Sequence, residues 1–582
     1  MNLPRPAALK QEVDLGPGGL QSISAADATG PGKEKGEVET VSLDQPRLTS
    51  AWSPLREPFF RMLWIASVAS NVGTWMHEVG AGWLMTSLTP SPLMVALMQT
   101  ATSLPIFLLA LPAGALADVV DRRRMLLFTQ GWMLVAAAVL GGLTLLDLTT
   151  PWVLLILTFL LGAGAAMNAP AWQATTPGLV SRNELPAAVA LTGMGLNLAR
   201  AVGPALGGFI VAAAGPWAVF LLNAVSFLSV IVVLYRWRRA AQDSPAPAEP
   251  VMSAIRAGIR YARHAPALRA VLVRTGLFVL FASALWALLP VLARHEMRLD
   301  SIGYGILFGC LGAGAVVGAI LLPAMRSRVS MDSLLAGATI SFAAVLIAMA
   351  QVRHLGLLCV VMIAGGVAWI TLMVSFNVAT QTTVPSWVRA RALALYLLMF
   401  QGGMAGGGVL WGTVTEHAGI AVALLSAAGG LVVGLAAMVR YPLKGDEELD
   451  LTPSTHWPEP TVVIEPHPED GPVLVTVEYR IEPKQAPDFT LAMQAVRQQR
   501  LRDGAFRSGL YRDPADLGRY VETFVVESWA EHLRQHERVT VADRDAEERA
   551  RTFHIGDASP VVSHYIYAHT TEAQNDHTAT KR

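Results

Sequence analysis

Long apolar runs separated by short polar turns recur through residues 59–443. They lie near 59–86, 93–117, 125–147, 152–177, 185–213, 217–236, 271–293, 303–324, 333–351, 355–380, 390–416 and 420–439. A helix rising 1.5 Å per residue needs about 20 residues to cross about 30 Å of hydrocarbon, and only helices or closed barrels satisfy the backbone there. The runs predict twelve transmembrane helices, or eleven where Gly and Pro break a run. Past residue 472 the period changes. Val473–Ile481 alternates as a strand, and 485–502 carries Phe489, Met493, Val496 and Leu501 at helical spacing. Strand-like 506–512 and 519–528, a helix from Trp529, a charged helical stretch near 543–553 and a strand over 561–568 follow.

These patterns define the expected fold class: an all-α polytopic membrane protein with twelve transmembrane helices in two six-helix halves, plus a small C-terminal α+β domain of ferredoxin-like order. Residues 1–54 read as a disordered cytoplasmic N-terminus without the apolar core of a cleavable signal. The two halves span 55–236 and 271–440. A cytoplasmic loop, 237–270, carries an amphipathic helix whose Ile255, Ile259 and Ala262 lie on one face and Arg256, Arg260 and Arg263 on another. An acidic, Pro-rich linker fills 441–472, the soluble domain 473–569, and a tail 570–582.

Composition supports the same division. Only 15% of the 582 residues are charged, against about 25% in ordinary soluble chains. The 44 basic and 44 acidic residues cancel over the whole sequence, but residues 59–443 hold 22 basic and 11 acidic side chains. Eighteen of those 22 fall on one set of alternate loops or at the ends of the block. By the positive-inside rule the protein is a multi-pass protein of the cytoplasmic (inner) membrane with both termini cytoplasmic. Cys310 and Cys359 sit in apolar runs, which excludes a disulfide scaffold or a cysteine zinc site. No cofactor, metal or nucleic-acid partner is expected. No lysine occurs between Lys35 and Lys444, hence no phosphate-binding Gly-x4-Gly-Lys loop, and energy must come from an ion gradient.

The halves echo one another. The fourth span ends Asn168-Ala-Pro-Ala-Trp172-Gln173-Ala-Thr-Thr-Pro177, followed by Arg182, and the tenth ends Asn377-Val-Ala-Thr-Gln381-Thr-Thr-Val-Pro385, followed by Arg389; the Gln-x3-Pro module before an Arg-bearing turn recurs at an offset of 208 residues. Repeated halves place substrate near the midplane between them. The turn after the second span reads Gly114-Ala-Leu-Ala-Asp118-Val-Val-Asp121-Arg122-Arg123-Arg124. Its glycine permits close helix approach, its acid suits a neighbouring helix N-terminus or arginine, and its arginines stay in the cytosol. The fifth span reads Asn197-Leu-Ala-Arg200-Ala-Val-Gly203-Pro204-Ala-Leu-Gly207-Gly208, with glycines for close packing and a proline kink.

Together these two stretches resemble the loop 2–3 and helix 5 signatures of the major facilitator superfamily. Asp121 stands where the loop signature usually has Gly, and Ala199 replaces an upstream Gly. With Ser70-Asn71-Val-Gly-Thr-Trp75 and Trp83-Leu-Met, the resemblance narrows to the transmembrane secretion effectors, the branch that includes the enterobactin exporter. It implies alternating access and efflux, with the 118–124 turn steadying the closed cytoplasmic side when the protein faces outward.

Ionisable groups inside a bilayer cost about 2.5–3.5 kcal/mol on insertion scales. Glu78 is therefore the candidate proton carrier, and Arg200 the candidate that orients substrate or pairs with a carboxylate. A structural Glu–Arg pair, or a Glu78 near the outer interface, is the plainer alternative. His77 is a lesser candidate, since it points about 100° from Glu78 on a helix. Asn71, Trp75, Asn168, Trp172, Gln173, Asn377 and Gln381 are candidates for the cavity wall, against interhelical amide bonds and interfacial tryptophans as the alternative.

In the tail, Glu527-Ser-Trp529-Ala-Glu-His532 with His536 resembles the dimeric α+β barrels of the antibiotic-biosynthesis-monooxygenase type. His532 and His536 share a helix face that could hold a metal, but a solvated or dimer-contact face weighs more. A regulatory or self-associating module is expected. The expectation is a non-enzymatic, proton-coupled exporter of a small hydrophobic or amphiphilic molecule such as a siderophore, drug or secondary metabolite. The rivals are a membrane-anchored enzyme or a sensor working through the C-terminal domain.

Overall fold

A computed structural model describes residues 52–568, apart from 176–177, 182, 237–250, 442–449, 455, 459, 461 and 557. Expectations for the N-terminal segment, Pro177, Arg182 and the 570–582 tail, and for the side chain of Asp118, lie outside the described residues.

Twelve long helices form around the apolar runs, in two sets of six. The first set is α1 (Pro58–Leu88), α2 (Pro92–Val119), α3 (Arg122–Leu145), α4 (Pro151–Thr175), α5 (Leu185–Ala214) and α6 (Pro216–Arg236). The second is α8 (Pro266–Val291), α9 (Ser301–Arg326), α10 (Met331–Gln351), α11 (Leu355–Thr382), α12 (Arg389–Ala418) and α13 (Ile420–Arg440). Among the described residues ten of them, α2–α6 and α8–α12, are long and apolar enough to cross a membrane. Helix starts follow local chemistry. Pro58, Pro92, Pro151, Pro216 and Pro266 open helices where an amide proton would be unused. Side chains of Ser91, Asp121, Asp300 and Ser330 cap α2, α3, α9 and α10. Gly215 and Gly419, at φ 98° and 87°, make the sharp turns after α5 and α12. The outer surface is apolar: Ile320 is 72% and Val433 74% exposed, as a hydrocarbon solvent allows.

Within each set the helices pack on one another, while α2 against α12 and α5 against α9 join the sets. Glycine makes both seams close. A Cβ on Gly208 would strike Ser301 O and the Gly305 backbone, and one on Gly312 would lie 2.5 Å from Arg200 O. Gly412 faces Leu93 and Ala96, and Thr100 Oγ1 donates to Ala405 O at 2.8 Å. Gly314 and Gly318 abut α11, and Gly403, Gly407 and Gly408 abut α8 or α2. These seams occupy mid-height and the end of the bundle that carries the 89–91, 297–300 and 352–354 turns. At the other, basic end, α4 and α11 make no extensive contact among the described residues.

Helix α7 (Val251–His264) forms where an amphipathic helix was expected, but it does not simply lie on lipid. Tyr261 is 2% exposed, edge-on to Trp387 at 5.6 Å, and α7 packs on α12 and on the C-terminal domain. That domain runs β1 (Val473–Arg480), α14 (Ala486–Asp503), β2 (Arg507–Arg512), β3 (Arg519–Val526), α15 (Trp529–Arg538), α16 (Val541–Arg551) and β4 (Val561–Ile566). Its sheet is ordered β2-β3-β1-β4 and antiparallel, with Val475 opposite both Phe524 and His564. The alternating Val473, Val475, Val477 and Tyr479 are buried, as a sheet covered on one face requires. The expected linker is shorter than its composition suggested. Ser454 N donates to Val539 O at 2.8 Å and Trp457 Nε1 to Glu547 at 3.0 Å, so the chain wraps the domain well before β1.

Candidate functional site

A cavity of about 790 Å³ lies between the two sets of helices. Its walls differ in chemistry. The first set supplies His77 and Glu78 from α1, Gln99 and Ser103 from α2, Arg200 from α5 and Asn223 from α6. The second set supplies Trp286, Tyr304, Phe308, Trp369, Tyr396 and Phe400. Trp286 and Trp369 lie with ring centroids 4.3 Å apart and planes tilted by 37°, and Phe400 meets Trp369 at 5.9 Å. The ionisable groups lie on the first wall, beside Trp75 and Phe227, and most of the aromatic rings lie on the second, beside Asn377 and Gln401.

Glu78 and Arg200 come from helices brought together by glycine. Cβ atoms on Gly203 and Gly207 would lie 2.6 Å from Trp75 Cβ and 2.9 Å from Met76 Cα, so α5 rides directly on α1. The two charges lie within electrostatic reach without forming an ion pair. Instead the Arg200 guanidinium stands 5.2 Å over the Trp75 ring, a cation–π arrangement, and its Nε has no hydrogen-bond partner. His77 turns into the same cavity as Glu78, against the expectation that the two would diverge. It lies against Phe220 at 4.6 Å with the rings tilted by 52°, and both ring nitrogens lack partners.

The remaining candidates divide. Trp75 and Asn377 line the cavity, and Gln381 donates to Asn377 Oδ1 at 2.7 Å from behind it. Asn168 does not line it: its Oδ1 accepts from Thr129 and Gln130, tying α4 to α3. Asn71 and Trp172 line a separate small pocket with Trp64 and Leu179, and Gln173 is exposed. Trp172 and Gln173 lie in the last turn of α4, at the basic end, whereas Asn71 lies near the middle of α1 but lines the separate pocket. Gly114 is no close-packing site, since a Cβ there meets nothing within 4 Å. Arg122 and Arg123 do not simply project into solvent. Arg122 donates to Ala174 O at 2.8 Å, and Arg123 to Leu234 O and Tyr235 O at 2.9 and 2.7 Å, so they cap the ends of α4 and α6. Gln99, whose amide donates to Ser103 Oγ at 2.8 Å, was missed by the sequence reading. Two polar residues at i and i+4 inside an apolar span were the available signal. Trp286 and Trp369 were legible too, as mid-span tryptophans far from either interface.

In the C-terminal domain, Arg500 is buried between Glu522 and Glu547 at 2.8 and 2.6 Å. Burial works to raise the Glu547 carboxyl, yet Arg500 and bonds from His456 and Trp457 hold it at about 2. Burial, then His536 and His564, push His532 down to about 3, and burial, then His564 and Arg500, push His536 to about 4. His532 and His536 are buried or half-buried rather than a solvated face. Among the described residues no group of three His, Cys, Asp or Glu is placed to hold a metal ion.

This fold and cavity are those of a transporter of the major facilitator type. The family model described as "Transmembrane secretion effector" matches residues 49–572, and the chain belongs to that family. It is a secondary transporter and not an enzyme. The match runs through the C-terminal domain as part of the same family, and nothing in it supports the monooxygenase-type resemblance. Enterobactin exporter EntS of Citrobacter koseri is 27% identical over 391 residues, covering 66% of this chain and 91% of the exporter. EntS of Salmonella typhimurium is 27% identical over 382 residues, covering 65% and 91%. Among solved structures, a mutant form of the nucleoside transporter NupG superposes with a TM-score of 0.55 at 13% identity, covering 66% of this chain and 100% of NupG. A POT family transporter in complex with 5-aminolevulinic acid also reaches 0.55, at 12% identity, covering 66% and 96%.

Proposed function

We propose that this chain exports a small amphiphilic molecule across the cytoplasmic membrane by proton-coupled alternating access. The observation that carries the reading is the divided cavity, in which Glu78 and an Arg200 with an unpartnered Nε face an aromatic wall. A molecule with a polar, hydrogen-bonding end and an apolar body fits both walls. Glu78 carries the proton and Arg200 orients the polar end, with His77, Trp75 and Asn377 completing the site. All twelve long helices span the membrane in two six-helix halves, 55–236 and 271–440. The basic end faces the cytoplasm, supported by 18 of 22 basic residues, so the chain stands with its cavity closed to the outside. The similarity to enterobactin exporters supports export and a siderophore-like cargo. The 473–569 domain, ferredoxin-like in strand order, regulates transport or joins two copies. Substrate-driven proton flux in proteoliposomes tests the reading. Wild-type protein is expected to acidify or alkalinise the lumen with substrate, and Glu78→Gln to abolish this while retaining substrate binding. Normal proton exchange by Glu78→Gln would overturn the assignment.

A further inference from the structure

We propose that Glu416 is the outer latch of the transport cycle, a positioning residue that closes the seam between α2 and α12. It sits in the last turn of α12, yet its Oε2 accepts from Ser91 Oγ at 2.9 Å and from Leu93 N at 3.1 Å, both at the start of α2 in the other half. The first turn of a helix has amide protons without partners and a partial positive charge, and α2 carries no acid of its own there. An acid in the last turn of α12 is unfavourable for α12 itself, because that end is already negative. The cross-half contact is what offsets it. Arg294 braces the same end: it lies 4.8 Å over Trp83 and donates to Thr86 Oγ1 at 3.4 Å, again across the halves.

The two helices run antiparallel, and neither has an acid in its first turn. Rocking that opens the outer end breaks the Glu416 contact, and opening the basic end restores it.

This rests on alternating access as proposed above, but its test needs neither substrate nor proton gradient. Full-length protein with Cys310→Ser and Cys359→Ser carries a single reporter, Thr102→Cys, in the cavity wall. Membrane-impermeant thiol reagents are applied from each side of oriented proteoliposomes. The parent is expected to label from the basic side. Glu416→Ala should raise labelling from the opposite side about tenfold and lower it from the basic side, Ser91→Ala should do so less, and Glu416→Gln should fall between. Glu416→Asp, which keeps the carboxylate, should return labelling toward the parent, a rescue that a merely structural role would not produce. Unchanged sidedness in both Glu416→Ala and the well-folded Glu416→Gln overturns the latch. A parent labelled equally from both sides would instead sink the alternating-access reading.

Discussion

Arg260 of α7 donates to Glu531 of α15 at 2.9 Å, joining the segment between the halves to the C-terminal domain. Glu531 also takes Arg538 at 2.7 Å and Arg534 at 2.8 Å, while Arg538 lies 4.5 Å over Trp387 at the base of α12. Arg260→Ala leaves Glu531 two partners, so the expected loss is about 1–2 kcal/mol rather than that of an orphaned buried charge. Hydrogen exchange across α15 should quicken about tenfold, with the transmembrane helices unchanged.

Recognition divided between two walls predicts two different defects. Trp369→Ala should raise the apparent KM about tenfold with kcat little changed, since it removes stacking surface from ground and transition states alike. Arg200→Gln should weaken binding of substrates with an acidic or accepting end by about 1.5–3 kcal/mol and spare those without one. Binding of a substrate series to the two variants separates the walls.

Glycine matters where a neighbour stands, not wherever a motif places it. Gly203→Val meets Trp75 Cβ and Val72 O, and overpacking of this kind costs about 1–3 kcal/mol. Gly114→Ala meets nothing. Thermal midpoints of the purified variants should fall for the first and stay level for the second.

The C-terminal domain should be acid-sensitive. Unfolded histidine protonates near pH 6.5, whereas folded His532 and His536 resist until about 3 and 4. Between those values the unfolded chain binds more protons, so stability is full above about pH 6.5 and declines as pH falls. Glu547, held at about 2, adds loss of the same sign at lower pH. Tryptophan-fluorescence melts at about pH 7 and about pH 5 should show the fall, reduced in His532→Phe.

The helices were legible because bilayer thickness imposes a length and an apolar composition, and the runs at 355–380 and 185–213 became α11 and α5 within two residues. The charges were legible because lipid makes them conspicuous: Glu78 and Arg200 do share one cavity. The amides were not. Asn168 and Asn377 stand five and four residues before the repeated Gln173 and Gln381, one helical position or about 100° out of register, and one ties α4 to α3 while the other faces the cavity. The direction an amide faces also depends on neighbours far away in sequence. Glu416 was overlooked for a similar reason, since its partners lie 325 and 323 residues away. The docking of α7 was also hidden, because an amphipathic face reads alike whether lipid or protein covers it.

The C-terminal domain rests on α7 and on Trp387 beneath α12, and α7 packs on α8 and α12. On the alternating access proposed above, domain, α7 and second helix set are expected to travel together when the two sets tilt. The domain's distance from the basic end of α6 must lengthen and shorten once per turnover. A donor dye on the domain and an acceptor beside Arg236 would turn that excursion into an optical stroke counter, reading cycles from a single molecule without labelling the cargo.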